Sequence, residues 1–113
     1  MALKKIKMEH EHQGFPITAI REIKILKALK HPNIVRLNEI MMCGSSCEGD
    51  DRFKIGDVFM VFEYVDFDLA GLLDSELVRL SESHIRSYTK QLLDGILYMH
   101  TNGIIHRDLK VNI

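Results

Sequence analysis

The chain lacks an excess of either charge, a long apolar run, and all but two cysteines. With 15 Lys+Arg against 16 Asp+Glu, it has none of the basic surplus of a nucleic-acid binder. That balance also gives no reason to expect attraction to a membrane surface. No apolar run is long enough to span a bilayer. The basic start, Met1 to Lys7, leads into Met8-Glu9-His10-Glu11-His12. No apolar signal-peptide core follows, so secretion is not expected. Cys43 and Cys47 lie four positions apart in a polar stretch. They are expected as free thiols in a reducing compartment, cytosol or nucleus.

The 113 residues fit one small domain, and 46% hydrophobic content is ordinary for a globular core. There is no internal repeat and no low-complexity segment. Met1 to Met8 alternates imperfectly and reads as a strand. Gly14-Phe15-Pro16 breaks it, and a proline there favours a helix start. The pattern predicts a helix from Ile17 to about Lys30, ended by His31-Pro32-Asn33. Ile34 to Met42 reads as a strand. Cys43 to Asp57, with three glycines and six charged residues, reads as a surface loop. "VFMVFEY", Val58 to Tyr64, has the unbroken apolar character of a buried strand. Asp68 to Leu73 fits a short helix. Ser81 is a good N-cap for a long helix through Thr101, and Asn102-Gly103 is a good stop. Ile85, Tyr88, Leu92, Ile96 and Met99 form an apolar stripe along that helix at steps of three and four. This order of strands and helices is an α+β pattern.

One placement on the first helix stands out. Glu22 shares a face with Thr18, Ala19, Ile25, Leu26 and Leu29 by the neighbour rule. A carboxylate within an apolar stripe is expensive without a cationic partner. It is either a stripe-edge surface residue or one half of an ion pair. The opposite face carries Ile17 and Ile20, which suggests a second covered surface.

The chain closes on "GIIHRDLKVNI", Gly103 to Ile113. A lone His-Arg-Asp triplet is weak, but its order in the chain adds weight. A strand lysine, a helix glutamate and then an H-R-D-L-x-x-x-N loop make up the protein-kinase set. Ala2-Leu3-Lys4, Glu22 and His106-Arg107-Asp108-Leu109 stand in that order. The chain thus resembles the middle of a eukaryotic protein kinase domain. "PITAIRE", Pro16 to Glu22, makes it similar to the cyclin-dependent kinases. "ALKKIKM", "IKILKALKHPNIVRL" and "VFEYVDFDLAGLL" resemble their transcription-associated branch, which acts on RNA polymerase II.

The resemblance implies a partial protein-kinase fold, α+β in class. Residues 1–64 would be part of the N-lobe, and 65–113 the hinge and the start of the C-lobe. ATP and Mg2+ would be its cofactors, a cyclin its partner, and the nucleus its location, with the cytoplasm as alternative. Its substrate would be a protein Ser/Thr, on the RNA polymerase II C-terminal tail. By the same carry-over, Lys4 would hold the ATP phosphates and Glu22 would pair with it. Phe62 would stand beside the adenine, backbone groups of Glu63 and Val65 would bond it, and Asp68 would lie near the ribose. Asp108 would accept the substrate hydroxyl proton, Lys110 would approach the transferred phosphate, and Arg107 would meet a phosphorylated activation loop. Ile17 and Ile20 would lie under the cyclin.

Two departures qualify the match. The metal-binding asparagine belongs five residues after Asp108, at Ile113, whereas Asn112 stands one place early. No Gly-rich loop precedes Lys4 and no Asp-Phe-Gly follows Asp108. The expectation is a kinase fragment with no activity by itself; the alternative is a catalytically dead chain that only binds a cyclin or other partner. A metal site at His10, His12, Cys43 and Cys47 matches no known ligand spacing.

Overall fold

A computed structural model describes residues 1–7, 14–44, 56–75 and 78–110. Its elements are β1 (Ala2–Lys5), α1 (Ile17–Ala28), β2 (Leu37–Met42), β3 (Val58–Phe62), α2 (Leu69–Asp74) and α3 (Glu82–Thr101). His10, His12, Cys47, Asn112, Ile113 and residues 45–55 of the expected loop lie outside the described residues.

The chain divides into two compact units. The first takes Met1–Lys30 and Val35–Tyr64; the second takes His31–Ile34 and the chain from Val65 on.

In the first unit the strands form one antiparallel sheet in the order β1-β3-β2. The central position belongs to the most apolar strand, as burial on both faces requires. Met60 and Val61 are its least exposed side chains, at 2% and 1%. Lys4 pairs with Met60 across the ladder, and Phe62 with both Ala2 and Leu37. The core gathers Ile6, Ala19, Leu37 and Met60, flanked by Phe15, Ile23, Leu26 and Ile40.

The face that α1 buries overlaps the sequence reading at Ala19, Leu26 and Leu29 but is shifted from it. Ala19 is buried and Ile23 and Leu26 are half-buried, whereas Ile25 is exposed. Glu22 is exposed too, so it stands on the flank rather than within the stripe. At 100° per residue, Ala19, Ile23 and Leu26 line up more closely than the broader set containing Glu22.

In the second unit Ser81 caps α3. Its hydroxyl accepts from the His84 N–H at 3.3 Å, and the Ser81 N–H donates to His84 Nδ1 at 3.3 Å. A histidine thus completes a capping box in which Glu or Gln is usual. Gly103 follows the Asn102 cap at φ 72°, a turn conformation open to glycine. Ile96 and Met99 are half-buried, but Ile85, Tyr88 and Leu92 of the same stripe are exposed. No described helix is long and apolar enough to cross a membrane.

Cys43 corrects the expectation of free thiols: it is buried and disulfide-bonded. Its N–H donates to the Asp57 carbonyl and its carbonyl accepts from the Gly56 N–H, both at 2.8 Å, so it continues the pairing of β2 with β3.

Candidate active site

The first unit contains the pair the sequence left open. β1 presents Lys4 and the second turn of α1 presents Glu22. Lys4 Nζ donates to Glu22 Oε1 at 2.9 Å, and the two side chains remain 61% and 45% exposed. The carboxylate is therefore compensated without being buried. Lys4, Ile6, Thr18, Ala19, Glu22 and Met60 line a cavity of about 300 Å³ beside the pair. Its charged wall and apolar floor would suit a ligand that carries an anion.

Phe62 ends β3 and is half-buried. Glu63 is held by a reciprocal pair of bonds. Its N–H donates to the Arg36 carbonyl at 3.2 Å, and its carboxylate accepts from the Arg36 N–H at 2.9 Å. These two bonds fix Glu63 against Arg36 at the end of β3. Ile17 and Ile20 of α1 are both exposed, at 68% and 39%.

In the second unit Val65 is exposed, and Asp68 serves as the N-cap of α2. Asp68 Oδ1 accepts from the Gly71 N–H at 2.7 Å, leaving Oδ2 for a second donor. Gly71 suits this bond, because a Cβ there would stand 2.7 Å from Oδ1.

The His-Arg-Asp segment is irregular. Arg107 has φ 69°, left-handed for a residue with a full side chain. Such strain concentrates where geometry serves function. The Asp108 N–H donates to His106 Nδ1 at 3.2 Å, and Lys110 Nζ lies 3.2 Å from Asp108 Oδ2. Asp108 and Lys110 are thus brought together, both well exposed to water. Sequence reading did not single out the backbone role of His106 or the left-handed Arg107. Neither residue type signals it, since glycine, asparagine and aspartate are the usual occupants of that conformation. Among the described residues no group of His, Cys, Asp and Glu could hold a metal ion. Asn112, the displaced candidate, lies outside them.

A strand lysine paired with a helix glutamate, followed by an ordered His-Arg-Asp-Leu-Lys segment, is the arrangement of one enzyme class. The protein kinase domain model matches residues 1–113, and the chain belongs to the protein kinase family. Within that family its relatives include cyclin-dependent kinases. It is 48% identical over 116 residues to cyclin-dependent kinase C-1 of Arabidopsis thaliana, covering 97% of this chain and 23% of the relative. It is 49% identical to human cyclin-dependent kinase 9, covering 97% of this chain and 29% of the relative. It is 46% identical to cell division control protein 2 homolog 2 of Pisum sativum, covering 96% and 76%. Among solved structures it resembles a chain of the yeast RNA Pol II CTD kinase CTDK-1 complex, with a TM-score of 0.78 and 44% identity. That match covers 97% of this chain and 32% of the other. The α+β architecture is accordingly part of a kinase fold. The chain spans about a quarter of the length of the Arabidopsis and rice C-type cyclin-dependent kinases it matches.

Proposed function

We propose that these residues belong to an ATP-dependent, cyclin-dependent serine/threonine kinase of the transcription-associated kind. The observation that carries the reading is the Lys4–Glu22 pair at 2.9 Å. Phosphoryl transfer depends on positioning and on neutralising charge more than on covalent chemistry. Glu22 fixes the ammonium of Lys4, which can then meet the α- and β-phosphates of ATP. The Glu63 carbonyl and the backbone of Val65 bind the adenine beside Phe62, and Asp68 Oδ2 reaches the ribose. Asp108 accepts the proton of a substrate Ser or Thr hydroxyl, and Lys110 stabilises charge on the phosphate in transfer. Arg107 meets a phosphate on an activation loop. Mg2+ bound with ATP would supply charge neutralisation at the phosphates. Among the described residues no group of His, Cys, Asp and Glu could hold a metal ion, so the metal's ligands are assigned to none of them.

A cyclin covering Ile17 and Ile20 would fit their exposure. The yeast CTD kinase in the structural comparison supports the RNA polymerase II C-terminal tail as substrate and the nucleus as location. The test uses the full-length kinase containing these residues, purified with its cyclin. Phosphate transfer to a C-terminal-tail peptide, abolished by Asp108→Asn, is the expected result. Transfer that survives Asp108→Asn would refute the reading.

The exposed isoleucines on α1 favour a second reading, in which the 113-residue chain binds a cyclin without transferring phosphate. Capture of cyclin that is lost in Ile17→Asp, with no incorporation of phosphate, is its expected outcome.

A further inference from the structure

The segment His31–Ile34 lies in the chain between α1 and β2, yet it belongs with the unit that contains α3. Three contacts hold it against α3. Asn33 Nδ2 donates to the Gln91 carbonyl at 3.0 Å. The Asn33 carbonyl lies over Gly95, where an added Cβ would come within 3.2 Å. The His31 ring faces the Tyr98 ring, with centroids 4.9 Å apart and planes 31° from parallel. A fourth bond lies within the segment: the Asn33 N–H donates to His31 Nδ1 at 3.1 Å. It gives the turn the shape that presents Asn33 to α3.

An imidazole accepts at Nδ1 only when neutral and protonated on Nε2. A proton on Nδ1 turns the acceptor into a second donor, facing the Asn33 N–H. We propose that His31 is a proton-operated latch. Neutral, it locks the Asn33 turn onto α3; protonated, it releases that turn.

The surroundings give the protonated ring somewhere to go. His31, Pro32 and Asn33 share a groove of about 430 Å³ with Asp94, Leu97, Tyr98 and Thr101 of α3. The titratable groups facing His31 from α3 are Asp94, paired with Lys90 at 2.6 Å, and the Tyr98 phenol. On its own segment Lys30 precedes it. An imidazolium there is attracted to the Asp94 carboxylate and to the face of Tyr98. Protonation therefore exchanges the bond to Asn33 for an attraction across the groove. Histidine is the side chain suited to make this exchange near neutral pH. The latch is a property of the turn and α3 and does not depend on the kinase reading.

The test is nuclear magnetic resonance of the 15N-labelled 113-residue chain. At pH 8 the His31 ring nitrogens should report the Nε2–H tautomer. Between pH 8 and pH 5, protection of the Asn33 amide, corrected for its intrinsic exchange rate, should fall by at least about threefold, as loss of one hydrogen bond implies. The fall should share its midpoint with the His31 ring shifts. His31→Phe keeps a ring against Tyr98 but has no acceptor, so protection should be low at both pH values. An Nδ1–H tautomer at pH 8, protection indifferent to pH, or a pH dependence that persists in His31→Phe would overturn the proposal. An undispersed spectrum at pH 8 would overturn it as well, because the latch requires the folded His31–Tyr98 contact.

Discussion

Lys4 and Glu22 meet at 2.9 Å while both side chains remain largely in water. Exposed ion pairs add only about 0–1 kcal/mol to stability. The value of this one lies in where it holds the ammonium. Glu22→Ala should therefore shift the unfolding free energy by less than about 0.5 kcal/mol. In the complete kinase with its cyclin, the same change should lower kcat/KM by at least about tenfold, roughly 1.4 kcal/mol of transition-state stabilisation. Denaturant melts and steady-state kinetics on one variant separate the two effects. Full activity in Glu22→Ala would show that the pair is ornamental.

Gly95 sets a second expectation, in which two effects oppose each other. Alanine is favoured over glycine within a helix by about 1 kcal/mol. The 3.2 Å approach of the Asn33 carbonyl asks the neighbour to yield by a few tenths of an ångström. Gly95→Ala should be close to neutral. Gly95→Val adds bulk that the carbonyl cannot avoid and should destabilise by about 1–3 kcal/mol. Thermal unfolding of both variants followed by circular dichroism reads the contrast; a Val variant as stable as the Ala variant would show that the turn does not pack on the helix.

The cap of α3 is more direct. Ser81 accepts from the His84 N–H, and the remaining first-turn donors have few side chains to meet them. Ser81→Ala should cost about 1 kcal/mol, and Ser81→Asp should retain most of the stability. The helical circular dichroism signal against temperature measures both.

Met60 is the test of the core. It is 2% exposed, lies on the central strand and touches the cluster formed with Ile6, Ala19 and Leu37. Met60→Ala should destabilise by about 2–5 kcal/mol, while Met60→Leu should stay within about 1.5 kcal/mol. Urea titrations that gave equal losses for the two would place the core elsewhere.

The long helix shows how far sequence carries. Its N-cap at Ser81 and its stop at Asn102-Gly103 were legible because each rests on one local hydrogen-bonding need. The buried strand from Val58 was legible because an unbroken apolar run has few other uses. On α1 the sequence picks out Ala19, Leu26 and Leu29 but takes Ile25 for Ile23, since its moderate amphipathicity lets neighbouring stripes compete and only the sheet decides among them. The candidate site divides the same way. Lys4, Glu22 and Asp108 could be named from order and residue type. The left-handed backbone at Arg107 and the engagement of the Glu63 N–H by Arg36 could not, because the first is a backbone state that its residue type does not signal and the second depends on a partner 27 residues away. The state of Cys43 escaped for a similar reason: composition argues about compartments, not about which sulfurs come within reach.

The two bonds joining Arg36 and Glu63 are unequal in what they ask of each residue. Position 36 contributes only its backbone N–H and carbonyl, while position 63 contributes a backbone N–H and a side-chain oxygen. Mutational tolerance should be lopsided in consequence. Any amino acid other than proline can occupy position 36 without disturbing the clamp, since proline alone has no N–H to give. Position 63 is confined to side chains with an oxygen at the right reach, glutamine foremost. In a saturation library the first position would drift freely while its partner, 27 residues away, stayed nearly fixed.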